Sequence, residues 1–274
     1  MTRSRRVIAA FAVTAMLVGA CGTAASQQPA SSSTGGGGGA TAAPGGGGDG
    51  GATVAPGGAG GGTSGEGAFG AASSALDQLD SYKFDVEINS SESSTIGSEG
   101  VTSLKGAVVH KPQEESLLDE SVTDASGAIT SESHYLIIGQ DAWTKPTADG
   151  TYTTLPAVAV AGITAALDAF RPEKLFGADF GTLGSDYTMV GTETKNGVNC
   201  QHFQGGASIG TFFDALSGVQ GSWQSDVWIA VDGGYLVSSN VQAQGATATS
   251  AGNFSIDVEI TNVNDPSNVL TPPS

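Results

Sequence analysis

The sequence predicts an α+β domain built on one large antiparallel β-sheet, with its helices gathered on one face. Two observations support this prediction. Segments that alternate apolar and polar residues recur in pairs joined by turns rich in Gly, Asn and Asp, as in antiparallel hairpins. Segments of helical periodicity stand between groups of strands, whereas a parallel sheet needs a crossover between each pair. These segments fill residues 68–274, a length within the range of one domain.

The first helix is expected at residues 68–81, where apolar residues recur at spacings of three and four. The segment 82–89 alternates apolar and charged residues, which predicts a strand with one buried face. Its apolar residues are Tyr82, Phe84, Val86 and Ile88. Further strands are expected at 101–110, 116–123 and 128–138, followed by one short interrupted strand around Trp143 and 151–155.

Residues 157–170 return to helical periodicity. Because alanine fills most of the remaining positions, we expect this helix to be buried on more than one side. Its periodic apolar residues are Val160, Ile163, Leu167 and Phe170. A further helical turn is expected from Pro172, and a short amphipathic helix around Phe212, Phe213 and Leu216. Strands complete the pattern at 187–195, 198–204, 223–231, 235–244 and 253–264, which makes nine or ten in all.

The acidic composition excludes one class of partner. The chain has 274 residues, with 10 Lys and Arg against 27 Asp and Glu, for a formal net charge of −17. Binding to nucleic acid depends on clustered Lys and Arg, and this surface would repel a polyanion. No apolar run reaches the roughly 18 residues that a membrane-spanning helix needs, so we expect no transmembrane segment.

Residues 1–20 have the pattern of a lipoprotein signal peptide. A basic start precedes an almost wholly apolar run over 7–18, which is too short to span a bilayer. The run ends in Val18-Gly19-Ala20-Cys21, which resembles the bacterial lipobox. We therefore expect cleavage between Ala20 and Cys21, with diacylglyceryl and palmitate chains attached to the new N-terminal cysteine.

The alternative is an ordinary secretory signal with a cysteine at this place by chance. The export route stays open between the general secretory and twin-arginine pathways, since residues 4–8 loosely resemble a twin-arginine motif. Lipidation of Cys21 would leave Cys200 as the sole thiol, so we expect no intramolecular disulfide. Two acyl chains hold a protein stably at a bilayer, which predicts anchoring on the extracytoplasmic face of the cell membrane.

Residues 21–67 predict a disordered tether between the lipidated cysteine and the domain. Nineteen glycines lie within 22–67, and only two residues there are charged. With almost nothing to bury, such a segment cannot offset its chain entropy. The G-x-G-x-x-G matches inside it predict no dinucleotide site, because no strand precedes them and no helix follows.

We find no enzyme pattern in the sequence. Residues 206–210 spell G-x-S-x-G, but the hydrolase elbow needs a histidine after its serine, and every histidine precedes Ser208. The histidines are expected on separate strands, without the spacing of metal ligands, and they are His110, His134 and His202. We therefore expect a protein without catalysis, metal or cofactor.

Several short motifs occur together in the order of a known family. After the lipobox and spacer come a helix that ends in 79–84, a G-x-E-x-x-x-G hairpin at 191–197 and a V-W-I-x-x-D strand at 227–232. In this respect the chain resembles the actinobacterial LppX/LprG-type lipoproteins and, more remotely, the LolA/LolB-like carriers. It departs from them in its long glycine tether and in lacking a proline after Gly233-Gly234.

The resemblance implies a half-barrel of antiparallel strands whose concave face holds the helices and encloses an apolar pocket for acyl chains. The residues expected to line this pocket are Phe84, Val86, Ile88, Val160, Ile163, Leu167, Phe170, Phe176, Val227, Ile229, Ile256 and Val258. A mobile rim is expected at Phe212, Phe213 and Leu216. For any one of these residues, the alternative is ordinary packing in the core.

Two functions follow for a domain that we expect to be monomeric. In the first, the protein binds or transfers an acyl lipid or glycolipid at the cell envelope. In the second, the same fold has a closed core and docks on an envelope protein through its acidic surface. A continuous apolar cavity above about 300 Å³ would favour the first function, and a filled core would favour the second.

Overall fold

A computed structural model describes residues 65–91, 99–175, 184–206, 222–246 and 251–273 of the chain. The helices in this part are α1 (Gly65–Gln78), α2 (Ala157–Phe170) and α3 (Pro172–Leu175), with a 3₁₀ turn at Gly184–Asp186. The strands are β1 (Ser81–Ser90), β2 (Gly100–Val109), β3 (Glu115–Thr123), β4 (Ile129–Ile138), β5 (Asp141–Lys145), β6 (Thr153–Thr154), β7 (Thr188–Lys195), β8 (Val198–Gly205), β9 (Ser222–Ala230), β10 (Leu236–Ala246) and β11 (Ala251–Thr261).

The eleven described strands form one antiparallel sheet in the order β6-β5-β4-β3-β2-β1-β11-β10-β9-β8-β7. Strands β1 to β6 form one meander and β7 to β11 form another, and the pairing of β1 with β11 joins the two at the centre. The sheet ends at β6 on one side and at β7 on the other, so it stays open. The predicted fold class is confirmed: one large curved antiparallel sheet with helices on its inner face.

Strand β1 shows how alternation builds the inner face. Its four apolar side chains are at most 6% exposed, whereas Lys83 and Glu87 between them are exposed. Residues directly opposite in antiparallel strands point to the same face of a sheet. Val86 therefore lies between Val258 of β11 and Leu104 of β2 on the inner side. The predicted strand is confirmed, with one residue added at each end.

Helix α1 packs on the inner face over β9 and β10. The ring of Phe69 is fully buried, and it meets the rings of Tyr187 and Phe203 edge to face at centroid distances of 4.7 and 5.5 Å. Ala72 and Leu76 are also fully buried on this side. The predicted apolar face is confirmed, although the helix spans 65–78 instead of 68–81.

Helix α2 begins and ends where the sequence predicts, but it is buried on one side only. Leu167 is buried and Val160 and Ile163 are half-buried, whereas Val158 is 89% exposed. The main contacts of the helix are with β5 and α3. The expectation of burial on more than one side is therefore wrong. The sequence pattern identifies the apolar positions of the helix, but packing against other elements determines how many of them are buried.

Residues 141–155 also differ from the expected single interrupted strand, because they form two strands. A turn closed by a hydrogen bond from Gly150 N to Thr147 O (2.9 Å) reverses the chain. Trp143 of β5 then pairs with Thr154 of β6. The polar turn residues, read from the sequence as an interruption, are thus a hairpin loop.

The predicted two-residue turn at Asn196-Gly197 is confirmed between β7 and β8. Both residues have left-handed backbone, with φ of 53° and 78°, as a type I′ hairpin requires. Such a turn matches the twist of the strands that it joins.

Several predicted residues lie outside the described part of the chain. They are those of the signal peptide with Ala20 and Cys21, the tether up to residue 64, Phe176, Ser208, Phe212, Phe213 and Leu216. For Phe170, at the end of α2, only the backbone is described. In the ranges given above, no helix has the length and apolar character to cross a bilayer.

Candidate ligand-binding face of the sheet

The strand residues predicted to line a pocket lie together on the inner face. Pairing of β1 with β11 sets Val86 opposite Val258, and Ile88 opposite Ile256. The surface continues across β10 onto β9. Seven predicted residues share this surface and are at most 6% exposed: Phe84, Val86, Ile88, Val227, Ile229, Ile256 and Val258.

Helix α1 covers this part of the inner face. Its Phe69 and Leu76 belong to the same hydrophobic cluster as the strand residues. Gly106 of β2 allows close packing, because a Cβ at that position would lie 2.2 Å from Cζ of Phe84. In this half of the sheet, the described side chains pack against one another as a core.

The inner face is less completely covered on the side of α2. Val160 and Ile163 of the helix stay half-buried, and so do several apolar side chains of the sheet and its loops. Apolar surface left in water costs about 25 cal/mol per Å² relative to burial. We call this region the α2-side surface and define it by Tyr135, Leu155, Val160 and Ile163, which are partly buried against the hydrophobic core.

One carboxylate lies on the inner face beside the α2-side surface. Glu120 of β3 is paired with Leu104 of β2, whose side chain is buried on the inner face, so both residues point inward. Burial raises the pKa of the Glu120 carboxyl group. Within the described residues, this carboxylate has no hydrogen-bond or ion-pair partner.

A buried ionic network fastens α3 to α1 and the sheet. Arg171 donates from Nε to Oε1 of Glu173 (2.5 Å) and from Nη1 to Oε1 of Glu114 (2.6 Å). Glu173 is 2% exposed, and its carboxylate also accepts a hydrogen bond from the Tyr82 hydroxyl. Oγ of Ser73 donates to the backbone oxygen of Glu173 (2.9 Å). The network thus joins α1, β1 and α3 at one end of the inner face.

The network shifts the ionisation of its members. Burial, reinforced by the negative charge of Glu173, raises the pKa of the Tyr82 hydroxyl. Burial opposes the charge on Arg171, but attraction to Glu173 and Glu114 outweighs it and raises the pKa of the guanidinium. Burial also acts to raise the pKa of Glu114, yet the hydrogen bond from Arg171 holds it below the ordinary value.

Three side chains at this end offer ligand atoms of the kind that bind metals. Asp77, His110 and Glu173 place one such atom each within 4.8 Å of one another. Glu173, however, already accepts hydrogen bonds from Tyr82 and Arg171, and Nη2 of Arg171 lies 3.4 Å from Nδ1 of His110. A metal ion would have to compete with the guanidinium for the same carboxylate. We therefore assign no metal to this group.

The other two histidines are strand residues held by carboxylates. His134 lies between Oδ1 of Asp119 (2.5 Å from Nδ1) and Oε1 of Glu132 (2.8 Å from Nε2). Nε2 of His202 lies 2.7 Å from Oδ1 of Asp226. These contacts agree with the interpretation of both histidines as ordinary members of strands.

Two of the cavities that described residues border are lined mainly by polar side chains. The first, of about 180 Å³, lies among Ser103, Lys105 and His134, and Glu120 also borders it. The second, of about 450 Å³, lies at the ends of β1, β2 and β3 beside Thr123. Neither borders a residue from the predicted lining set. The lipid pocket therefore stays a prediction.

Sequence reasoning missed the inward Glu120 and the network around Arg171 and Glu173. One signal for the network was present, since Arg171 is the only arginine after residue 6 in a domain with few basic residues. Its partner Glu114 is 57 residues away, and no local pattern links the two. Glu120 lies in a strand of mixed polar and apolar residues, where the inner face cannot be assigned without the pairing register.

Comparison with known proteins gives similar structures at low sequence identity. No family model matches the sequence, and no curated protein matches it. The structure of LprF from Mycobacterium bovis is similar, with 17% identity, a TM-score of 0.45, and coverage of 76% of this chain and 97% of that one. The structure of the lipoprotein LppX from Mycobacterium tuberculosis is similar with 17% identity, a TM-score of 0.41, and coverage of 73% and 95%.

A LolA superfamily protein from Nitrosomonas europaea is also similar, with 13% identity, a TM-score of 0.25, and coverage of 74% of this chain and 98% of that one.

Proposed function

We propose that this protein is an envelope lipoprotein that binds or transfers a lipid by its acyl chains, without catalysis. The observation that carries the proposal is the α2-side surface, where apolar side chains of the helix and the sheet are only partly buried. An acyl chain on this surface would remove it from water, with a gain of about 25 cal/mol per Å². Such binding needs an apolar surface and an opening, and it requires no reacting group.

The N-terminal sequence supports a membrane location for this binding. The pattern before Cys21 favours cleavage and lipidation there, and the glycine-rich segment would give the domain freedom to move above the bilayer. In the native bacterium, we expect Cys21→Ser to abolish cleavage and lipidation, and globomycin to block cleavage. Unchanged size and membrane partition after both treatments would contradict the lipid anchor.

Lipid binding is tested by native mass spectrometry of the full chain, purified from its host in a non-ionic detergent. We expect a noncovalent lipid in addition to any chains on Cys21. The variant Ile163→Trp should lower its occupancy severalfold, because the indole would fill the α2-side surface. The matched control is Val158→Trp, which places the same ring on the exposed side of α2 and should leave occupancy unchanged. Absence of any bound or added lipid would overturn the proposal.

The second candidate is a non-catalytic interaction or sensor lipoprotein with a closed core. The complete burial of Val86, Val227 and Val258 next to α1 favours it, because a filled core needs no ligand. Such a protein would dock on an envelope partner through its acidic surface. It becomes the preferred function if the wild type and both tryptophan variants carry no lipid.

A further inference from the structure

The inner face divides into two regions of different chemistry. Under α1, on β1, β9, β10 and β11, most inward residues are apolar and buried. On β3 and β4, the inward set includes one carboxylate and, apart from Ser116 nearer the start of β3, three hydroxyls, and these four side chains are half-buried. These four residues, which we call the polar wing, are Glu120, Ser131, Ser133 and Tyr135.

Strand pairing brings the polar wing together. Glu120 is directly opposite Ser133, and its inward neighbours on β3 are opposite Ser131 and Tyr135. Directly opposite residues in antiparallel strands have Cβ atoms about 5 Å apart, and diagonal neighbours are about 7 Å apart. The serine hydroxyls are therefore close to any small group that is bound at Glu120, and the ring of Tyr135 stands beside them.

Glu120 is the only charged side chain that alternation places on the inner face of the described strands. The nearest lysines along the same strands do not neutralise it, because Lys105 and Lys145 point to the outer face. There Lys105 forms an ion pair with Asp85, and Lys145 donates to Ala148 O (2.5 Å). A half-buried carboxylate without a counter-charge is unfavourable, and a bound cation would remove this cost.

We propose that the polar wing binds the ammonium head group of an amphiphile whose acyl chain lies on the α2-side surface. An ammonium group has three N–H donors and no acceptor. The carboxylate of Glu120 supplies the counter-charge, and the neighbouring hydroxyls of the wing accept the remaining donors. Tyr135 belongs both to the polar wing and to the α2-side surface, so the head and chain sites adjoin at that residue.

An anionic head group fits this wing poorly. Glu120 would repel a carboxylate or phosphate at short range, in a protein that already carries many more acids than bases. A neutral alcohol can donate one hydrogen bond to Glu120 but leaves its charge uncompensated. The expected order of affinity for chains of equal length is therefore amine, then alcohol, then carboxylate. This inference rests on the proposed function, because it needs the chain to bind on the α2-side surface.

The experiment compares three probes that share a sixteen-carbon chain: hexadecylamine, hexadecanol and palmitate. Each is added to the full chain in the same non-ionic detergent, and occupancy is measured by native mass spectrometry. We expect hexadecylamine to bind roughly tenfold more tightly than hexadecanol, the usual effect of a charge-assisted hydrogen bond. Glu120→Gln should abolish this preference and leave hexadecanol unchanged. The control Glu87→Gln removes an exposed carboxylate on the outer side of β1 and should keep the preference.

The outcomes separate the two proposals. Binding of all three probes with equal affinity, or a preference for the amine that survives Glu120→Gln, would overturn the head-group site while the lipid-binding function stands. Failure of every probe to bind would overturn the proposed function and this inference with it. Thermal unfolding of both variants shows whether the fold is kept, and Glu120→Asp, which retains the charge, should retain part of the preference.

Discussion

Tyr82 is one of the two side chains that donate to the buried carboxylate of Glu173. Its hydroxyl donates to Glu173, which is almost fully buried, so its loss would leave that carboxylate short of one donor. We expect Tyr82→Phe to lower the free energy of unfolding by about 1–3 kcal/mol. Urea denaturation measures this change. Tyr152→Phe, on a half-buried tyrosine outside the network, is the control and should have a much smaller effect.

Glu114 gives the network a pH dependence at acid pH. Its folded pKa lies below the ordinary value of 4.5, because the hydrogen bond from Arg171 outweighs burial. A lowered pKa means that the unfolded chain binds protons more readily, so the stabilisation is complete above pH 4.5 and lost as pH falls through the folded value. Glu114→Gln should therefore flatten the loss of stability in this range. Glu87→Gln serves as the control, and an equal flattening by both variants would contradict the assignment.

Gly106 is required by close packing within the sheet. A Cβ there would meet the ring of Phe84 at 2.2 Å and the backbone oxygen of Leu117 at 2.6 Å, and the latter cannot turn away as a flexible side chain can. We expect Gly106→Ala to destabilise the fold by about 1–3 kcal/mol. Chemical denaturation of this variant should show the loss, and unchanged stability would indicate that β1 and β2 can separate at little cost.

At the scale of elements, helix α2 contains a glycine whose replacement by alanine is expected to stabilise the protein. Gly162 lies in the helix interior on its exposed side, and a Cβ there would meet nothing within 4 Å. Because glycine costs a helix about 0.5–1 kcal/mol relative to alanine, Gly162→Ala should stabilise the protein by about that amount. A rise in the melting temperature would confirm it. A fall would mean that this side of α2 contacts something beyond the described residues.

Elements were predictable where the pattern is local. The strict alternation of β1, the periodicity of α2 and the Asn196-Gly197 turn each determine their own conformation within a few residues. The hairpin of β5 and β6 and the one-sided burial of α2 were not predictable in the same way. They depend on which surface is near, and that is decided by pairing between distant segments. For the same reason, the inward orientation of Glu120 could not be predicted, because it depends on the register of Glu120 with Leu104.

For the predicted pocket lining, too, the local pattern was predictable and the tertiary packing was not. Alternation correctly grouped Phe84, Val86 and Ile88 on one face of β1, and pairing brought Val258 to them. The pattern could not tell that this group and α1 belong to one filled hydrophobic cluster, because a residue that lines a pocket and a residue that fills a core have the same apolar character. The half-exposed side chains near α2 became visible only from their burial.

At the scale of the whole molecule, β11 holds the two halves of the sheet together. It lies between β1 and β10, and its removal would leave two smaller sheets with unpaired edges. We expect truncation before Ala251 to abolish cooperative unfolding, as followed by near-ultraviolet circular dichroism. Truncation after Leu270 removes only residues outside the sheet and should leave the transition close to that of the full chain. A cooperative transition in the shorter variant would show that each half folds alone.

The central position of β11 also determines when the sheet can form during synthesis of the chain. Asn264, just after β11, accepts a hydrogen bond from the backbone amide of Ser81, 183 residues earlier. A ribosome makes β1 long before β11, so the edge of β1 that pairs with β11 stays unpaired until β11 has been made. The two halves of the sheet cannot join while β11 is still inside a ribosome or a translocation channel. Chaperones that protect unpaired strands are therefore expected to matter more for this protein than for folds completed by neighbouring segments.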